Sequence, residues 1–223
     1  MYCSLAENPR FEAPFGALIC GPTMSGKSQF VATLIERRHE MIDKPIHRVV
    51  FCYGQWQEKF ETLRQHAEFY EGLNDVFGSN HFFDPSVPTL LILDDLAQEL
   101  ASNPRASKLF TQGIHHKNVS VVLIMQNLYT QGRAMRDIQL NAQYMVLFKM
   151  TRDVNQIEML GRQTGLGHLA EVFEKVTSEP YQPLVLDLRP NTPSYLRVRS
   201  HVTPGYWMRI YLKPFGSPPC RKT

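Results

Sequence analysis

One segment of eight residues limits the fold of this chain more than any other feature. The residues Gly21-Pro-Thr-Met-Ser-Gly-Lys-Ser28 match the pattern G-x-x-x-x-G-K-[ST] at every position. A continuous apolar run ends at Cys20, directly before the segment, and residues 28–39 have the apolar spacing of a helix. In a strand, loop and helix of this kind, inward N–H groups and the helix N-terminus bind phosphate. The pattern therefore predicts a phosphate-binding loop made by Gly21, Pro22, Thr23, Met24, Ser25, Gly26, Lys27 and Ser28.

Charged and hydroxyl side chains in and beyond this loop have distinct expected roles. The ammonium of Lys27 suits the β- and γ-phosphates of a nucleotide, and the hydroxyl of Ser28 is a ligand for Mg²⁺. The apolar run 90–93 ends in Asp94 and Asp95, and carboxylates at the carboxyl end of a buried strand reach the ligand-binding edge of an α/β sheet. We expect Asp94 to hold Mg²⁺ and Asp95 to orient or deprotonate the attacking water. A capping role at a helix start is the alternative for Asp95.

Polar residues after the next two apolar runs extend the predicted site. Gln126 follows residues 119–125 directly and is placed to detect the γ-phosphate by a hydrogen bond, although an ordinary loop entry has the same composition. Motors that hydrolyse ATP between subunits use an arginine of the neighbour to stabilise the charge on the transferring phosphoryl group. The candidates, in order of preference, are Arg136, Arg133 and Arg152.

Short apolar runs separated by helical patterns predict an α/β domain with a parallel sheet covered by helices. Five strands are expected at residues 15–20, 48–53, 89–93, 119–125 and 144–148. Helices are expected at residues 28–39, 58–70, 106–114, 154–160 and 168–177. Two more strands, at residues 184–188 and 195–199, form a short C-terminal β extension. The expected domain is residues 1–200, followed by a basic, Pro- and aromatic-rich tail, residues 201–223, that is a loose arm or contacts a neighbouring subunit.

Charge is distributed unevenly along the chain. The 223 residues have a formal net charge of +3, yet seven basic residues and no acidic residue follow Leu188. This asymmetry favours an anionic partner for the C-terminal end, nucleic acid before membrane. A solvated basic end without a partner is the alternative. No apolar run approaches the roughly 18 residues of a membrane span, and the N-terminus has neither signal-peptide nor anchor character.

The cysteines give no sign of a metal site or a disulfide framework. Their spacing contains no C-x-x-C pair and no histidine at zinc-ligand distance. We expect free thiols in a reducing compartment, with two of them as small residues of core strands rather than nucleophiles. The four are Cys3, Cys20, Cys52 and Cys220, of which Cys20 and Cys52 lie in apolar runs.

Four segments together resemble the DNA-packaging ATPases of the FtsK–HerA class. They are the phosphate loop, the strand L-L-I-L-D-D, the block L-F-T-Q-G-I-H-H-K-N-V-S-V-V-L-I-M-Q-N-L-Y and the block L-N-A-Q-Y-M-V-L-F-K-M-T-R-D. The similarity covers about Pro14 to Ser200. It is strongest to the poxvirus-type enzymes and their relatives in virophages, adintoviruses and Maverick/Polinton elements, and the H-H-K-N…Q-N block is its most specific part.

The resemblance implies a P-loop NTPase of the ASCE type with the core strand order 5-1-4-3-2. It also implies hydrolysis of ATP with Mg²⁺ by a homo-oligomeric ring, a pentamer or hexamer, that translocates double-stranded DNA into a preformed capsid. The implied sites put Lys27 and Ser28 on the nucleotide, Asp94 and Asp95 on metal and water, and Gln126 on the γ-phosphate. The expected partners are double-stranded DNA and a capsid or portal vertex, without a membrane, in a host nucleus or a cytoplasmic virus factory and not in the secreted fraction.

Two other functions stay open at this point. One is a nucleotide-switched capsid-assembly protein with little turnover, and the other is an AAA-type helicase loader, for which Leu160-Gly161-Arg162 is a weak signal. Residues 115–118, H-H-K-N, are either a solvated turn or a contact to DNA or a subunit. The segment beyond Ser200 has no counterpart in the family, and any portal-docking or nuclease module is expected on another polypeptide.

Overall fold

The computed structural model describes residues 2–5, 9–79, 81–103, 105, 108–129, 132–151 and 154–212, with side chains for all of these except 2–5, 102 and 111. Within these residues, ten strands form one sheet. They are β1 Tyr2–Leu5, β2 Gly16–Cys20, β3 Arg48–Tyr53, β4 Glu68–Glu71, β5 Thr89–Asp94, β6 Val119–Met125, β7 Tyr144–Leu147, β8 Leu184–Asp187, β9 Val198–Ser200 and β10 Met208–Tyr211.

The centre of the sheet confirms the expected α/β fold. Strands β7, β2, β6, β5 and β3 are adjacent in that order and all parallel, which is the order 5-1-4-3-2 of the five strands expected in the core. The sheet is wider than predicted, because β4 extends one edge and the antiparallel strands β8, β9, β10 and β1 extend the other. The carboxyl ends of the five parallel strands therefore lie on the same side of the domain, and ligands bind at these ends in open α/β sheets.

The helices cover both faces of the parallel strands. The α-helices are α1 Lys27–Glu36, α2 Arg38–Met41, α3 Asn74–Gly78, α4 Ala97–Ser102, α5 Ile114–His116, α6 Arg133–Asn141, α7 Val154–Thr164 and α8 Leu169–Thr177. A π-helical turn, Leu109–Gly113, leads into α5, and 3-10 turns occupy Glu58–Leu63 and Ser194–Leu196. No described helix is both long and apolar enough to cross a membrane.

Alternate residues of each central strand enter two separate core layers. Leu91 and Leu93 of β5 pack in one layer, and Leu90 and Ile92 pack in the other. Every residue of β2, β5, β6 and β7 is buried, as continuous apolar runs predict. Cys20 and Cys52 are buried free thiols whose pKa burial raises to about 12, which confirms them as unreactive core residues.

The helix expected at residues 58–70 is wrong in its second half. The chain makes a 3-10 turn over Glu58–Leu63 and then forms strand β4, parallel to β3. Phe69 of β4 stacks on Phe51 of β3 with ring centroids 5.1 Å apart, and Arg48 donates two hydrogen bonds to Glu68. These contacts across the strands outweigh the local helical spacing, since β-structure depends on cross-strand packing.

The domain boundary expected after Ser200 is not present in the structure. Strand β10 pairs with β9 and with β1, so Met208–Tyr211 belong to the same sheet as the expected domain. The expected tail begins no earlier than residue 213, and residues 213–223 lie outside the described residues.

Part of the basic C-terminal segment is neutralised within the molecule. Arg189 and Arg199 both bind the buried Asp187, and Arg209 binds Glu179. Three of the seven basic residues counted after Leu188 therefore have internal acidic partners. These arginines contact internal carboxylates because acidic residues that precede the segment in sequence fold against it. Lys213, Arg221 and Lys222 lie outside the described residues.

Candidate functional site

The phosphate loop lies between β2 and α1, as its sequence predicts. Gly21 donates its backbone N–H to the carbonyl of Met125 at 3.2 Å, which fixes the start of the loop to the end of β6. Two loop residues, Met24 at φ 63° and Gly26 at φ 107°, adopt left-handed conformations, and such conformations turn successive N–H groups toward one point. Helix α1 begins at Lys27, directly after Gly26. The loop therefore has the concave, N–H-rich form that binds phosphate.

The first glycine of the loop is required by close packing. A Cβ on Gly21 would lie 2.7 Å from the Cβ of Phe148 and 2.8 Å from Oγ of Ser25, distances that a larger residue cannot adopt. The Oγ atom of Ser25 is buried and has no hydrogen-bond partner among the described residues. Buried hydroxyls are nearly always paired, so this atom indicates that the loop is shaped to receive an acceptor from outside the chain.

Lys27 lies across the loop. Its Nζ donates hydrogen bonds to the carbonyl oxygens of Gly21 at 2.5 Å and Pro22 at 2.7 Å. Burial lowers the pKa of this ammonium, and the charge of Asp94 opposes the shift. The ammonium is thus held over the loop that it is predicted to serve, close enough to Asp94 for a direct charge interaction.

The two acidic residues after β5 occupy different environments. Asp94 is 8% exposed, and burial raises the pKa of its carboxyl while Lys59 and Lys27 act to lower it. Asp95 is exposed and has a φ of 58°, which turns the chain sharply at the end of the strand. The alternative role of Asp95, a capping hydrogen bond at the start of α4, is not among the described contacts, where α4 has no side-chain cap.

Lys59 is a site residue that the sequence does not reveal. Its Nζ donates a hydrogen bond of 2.6 Å to Oγ of Ser28, and its charge acts on both Asp94 and Lys27. It comes from the 3-10 turn after β3, which is held close because Gly54 donates to the Asp94 carbonyl at 3.1 Å. The signal available in the sequence is topological: since β3 is next to β5, the segment after β3 must lie beside the acidic pair.

Ser28 and Asp94 provide a donor set that suits Mg²⁺. Both line one cavity of 280 Å³, together with Lys59. A hydroxyl and a carboxylate are hard oxygen ligands, and Mg²⁺ is usually held by one or two protein oxygens together with substrate phosphates and water. The described residues contain no group of three or more His, Cys, Asp or Glu side chains that could hold a metal on its own.

Gln126 follows a residue that is bonded to the phosphate loop. Two of the candidate arginines lie instead on helix α6. Gln126 is exposed and follows Met125, whose carbonyl binds Gly21. Arg133 and Arg136 are exposed on α6, and no described hydrogen bond or ion pair joins their guanidinium groups to the loop. Arg152 lies outside the described residues.

The H-H-K-N segment lies at the opposite edge of the sheet. It precedes β6, whereas the phosphate loop meets the end of β6. His115 and His116 are exposed, and Asn118 accepts a hydrogen bond from Thr89 and donates one to Pro85. His115 and His116 end helix α5, Lys117 and Asn118 form the turn into β6, and no described contact joins the segment to the phosphate loop.

Comparisons with known proteins agree on the fold. No protein-family model matches the sequence, and no curated protein matches it. The genome packaging NTPase B204 from Sulfolobus turreted icosahedral virus 2, in complex with AMPPCP, matches with a TM-score of 0.58 and 15% identity, over 84% of this chain and 96% of that chain. B204 from Sulfolobus turreted icosahedral virus, a DNA-packaging ATPase, matches with a TM-score of 0.55 and 13% identity, over 85% of this chain and 97% of that chain.

A secretion ATPase shares the same architecture. The cytoplasmic domain of the type VII secretion ATPase EccC from Thermomonospora curvata matches with a TM-score of 0.55 and 14% identity, over 83% of this chain and 25% of that chain. At identities this low, the structural matches establish a common fold and nothing further. The chain therefore has the mostly parallel α/β fold of these P-loop ATPases.

Proposed function

We propose that this chain is an ATP-driven motor that packages the double-stranded DNA of a viral or virus-like genome into a preformed capsid. The observation that carries the proposal is that the loop 21–28 and the acidic end of β5 meet at one edge of the sheet, with Ser28 and Asp94 on one cavity. The fold shared with the B204 packaging NTPases supports it. So does the sequence resemblance to the poxvirus-type enzymes and their relatives in virophages, adintoviruses and Maverick/Polinton elements.

Each residue of the site has a role in binding or hydrolysing ATP. The loop N–H groups and Lys27 bind the β- and γ-phosphates, while Ser28 and Asp94 hold Mg²⁺. When bound, Mg²⁺ neutralises charge on the phosphate oxygens. Asp95 orients the attacking water from the exposed end of β5, and Gln126 forms a hydrogen bond that depends on the γ-phosphate.

The motor would act as a homo-oligomeric ring of five or six subunits at a capsid or portal vertex, in a host nucleus or cytoplasmic virus factory. An arginine of the neighbouring subunit then stabilises the transferring phosphoryl group. Arg136 and Arg133 lie on the exposed side of α6, where a neighbour can approach them; Arg152 is the third candidate. Because Arg189, Arg199 and Arg209 have internal partners, DNA must be held by other basic groups.

Stimulation of ATP hydrolysis by DNA tests this function against its alternatives. Duplex DNA should raise the steady-state rate several-fold over the rate without DNA, as expected of a motor, and Lys27→Ala should abolish hydrolysis with and without DNA. Turnover that duplex DNA leaves unchanged, in a protein that still binds ATP, would favour the nucleotide-switched assembly protein. Stimulation by single strands alone would favour the helicase loader. Either result contradicts the packaging motor.

The Mg²⁺ requirement of nucleotide binding should depend on Lys59. Its ammonium binds Ser28 and lies near Asp94, the same two groups that we propose for Mg²⁺, so the two cations compete. We expect Lys59→Met to lower the Mg²⁺ concentration for half-maximal AMPPCP binding by roughly three- to tenfold, a partly screened effect for an exposed charge. Titration of Mg²⁺ at fixed AMPPCP measures it.

The exposed Lys44 provides the control for this experiment. Lys44→Met removes the same charge from the loop before β3 and should leave the Mg²⁺ requirement unchanged. A higher requirement in Lys59→Met would show that Lys59 helps to bind the phosphates instead of competing with the metal, and would contradict the expectation.

A further inference from the structure

A second cleft lies on the side of the phosphate loop away from Asp94. Its volume is 390 Å³. The loop residues Pro22 and Met24 form one side, and Phe148 and Lys149 after β7 form another. The outer wall is residues 177–182, from the last residue of α8 onward. Clefts of roughly 300 Å³ and above hold small organic ligands. The site described above uses none of the wall residues.

Tyr181 is the most prominent side chain of this wall. It is 73% exposed, so the faces of its ring are largely free to pack against a ligand. It nevertheless lies directly over the loop, because a Cβ on Gly26 would be 3.2 Å from the Cβ of Tyr181 and 3.4 Å from its Cδ1. Its φ is 59°, an uncommon conformation for a tyrosine, which brings the ring beside the loop.

The wall is attached to the C-terminal strands by an ion pair. The carboxylate of Glu179 accepts hydrogen bonds from Arg209 of β10 at 2.6 Å and is 3.0 Å from Nε2 of His201. Burial would raise the pKa of Glu179, but these two partners hold it below its usual value. The antiparallel strands thus fix the position of residues 177–182 against the phosphate loop, which gives the β extension a structural purpose.

The order of the strands determines which end of a nucleotide reaches this cleft. Asp94 ends β5 and Lys59 follows β3, both on one side of β2, whereas Phe148 follows β7, on the other side. A triphosphate whose γ-phosphate lies toward Asp94 must extend its α-phosphate, and the group attached to it, toward β7. The cleft beside Tyr181 lies on that path.

We propose that this cleft binds the nucleoside of the triphosphate, with its base stacked on the ring of Tyr181. The inference rests on the proposed nucleotide-binding function and adds the subsite for the base and sugar. A base stacks on the face of an aromatic ring, and this contact contributes a substantial part of the free energy of binding of the nucleotide. Tyr181 is therefore a residue that distinguishes a nucleotide from a bare polyphosphate.

Binding of two probes separates the nucleoside subsite from the phosphate site. The probes are AMPPCP and inorganic tripolyphosphate, each with Mg²⁺ in titration calorimetry. Tyr181→Asn removes the ring and suits a left-handed conformation, which asparagine tolerates. We expect it to weaken AMPPCP binding by roughly tenfold and to leave tripolyphosphate binding unchanged. Tyr181→Phe keeps the ring and should retain wild-type affinity for both probes.

Two further variants make the outcomes distinguishable. Lys27→Ala should weaken the binding of both probes. Tyr195→Asn, at an exposed tyrosine of the C-terminal 3-10 turn, should leave the binding of both unchanged. Unchanged AMPPCP affinity in Tyr181→Asn, or equal weakening of both probes, would overturn the nucleoside subsite. Failure of the wild-type protein to bind either probe would instead overturn the proposed function.

Discussion

Replacing Lys27 by alanine should weaken AMPPCP binding by about a hundredfold or more and abolish ATP hydrolysis. The ammonium is the cation directly over the loop, where it bonds the carbonyls of Gly21 and Pro22. Without it, the negative charge of the phosphates would lose a charge-assisted hydrogen-bond donor in a partly buried site, a loss of about 3 kcal/mol or more. Titration calorimetry and steady-state hydrolysis measure the two effects.

The fold should tolerate this substitution. The two carbonyls that Lys27 binds can accept hydrogen bonds from water when the side chain is truncated, because part of the loop is exposed, so thermal unfolding should change little. Lys44→Ala, at an exposed lysine remote in sequence from the loop, is the matched control and should bind AMPPCP normally. A Lys27→Ala protein that is folded and keeps wild-type affinity would contradict the assignment of the loop.

Substituting Asp187 should produce the largest loss of stability. This carboxylate is fully buried and binds Arg189, Thr192 and Arg199. The side chain of Arg199 is 2% exposed, and burial lowers the pKa of its guanidinium while the charge of Asp187 opposes the shift. Asp187→Asn would leave that cation buried without its counter-charge, so we expect the free energy of unfolding to fall by about 3–5 kcal/mol.

Urea denaturation provides the measurement, and an exposed ion pair provides the comparison. Arg37 and Glu40 are joined at 2.7 Å with side chains 43% and 38% exposed. Glu40→Gln should therefore change stability by no more than about 1 kcal/mol. A loss below about 1 kcal/mol for Asp187→Asn would show that this cluster does not stabilise the β extension.

Local sequence predicts the central sheet and the phosphate loop because both depend on short-range patterns. The strands β2, β5, β6 and β7 carry nearly continuous apolar runs and are buried at every position, as expected of strands covered on both faces. The local part of the loop is specified by Gly26, which has a φ of 107° before helix α1, and by Lys27, which bonds the carbonyls of the loop's first two residues.

Features that depend on long-range contacts could not be predicted in the same way. Lys59 reaches Ser28 from 31 residues away, and its segment has the apolar spacing of a helix. Arg209 binds Glu179 across 30 residues, so a basic stretch of sequence becomes part of a neutral cluster after folding. The position of Tyr181 over Gly26 likewise depends on the strands that follow it.

Displacement of a labelled third strand from duplex DNA tests the central claim most directly, since it detects movement along DNA and not hydrolysis alone. The protein is incubated with a duplex that carries a short triplex, with ATP and Mg²⁺, and release of the third strand is followed by fluorescence. A packaging motor should release the third strand only with ATP, and not with AMPPCP or in Lys27→Ala. ATP hydrolysis at an undiminished rate without release of the third strand would contradict the packaging motor.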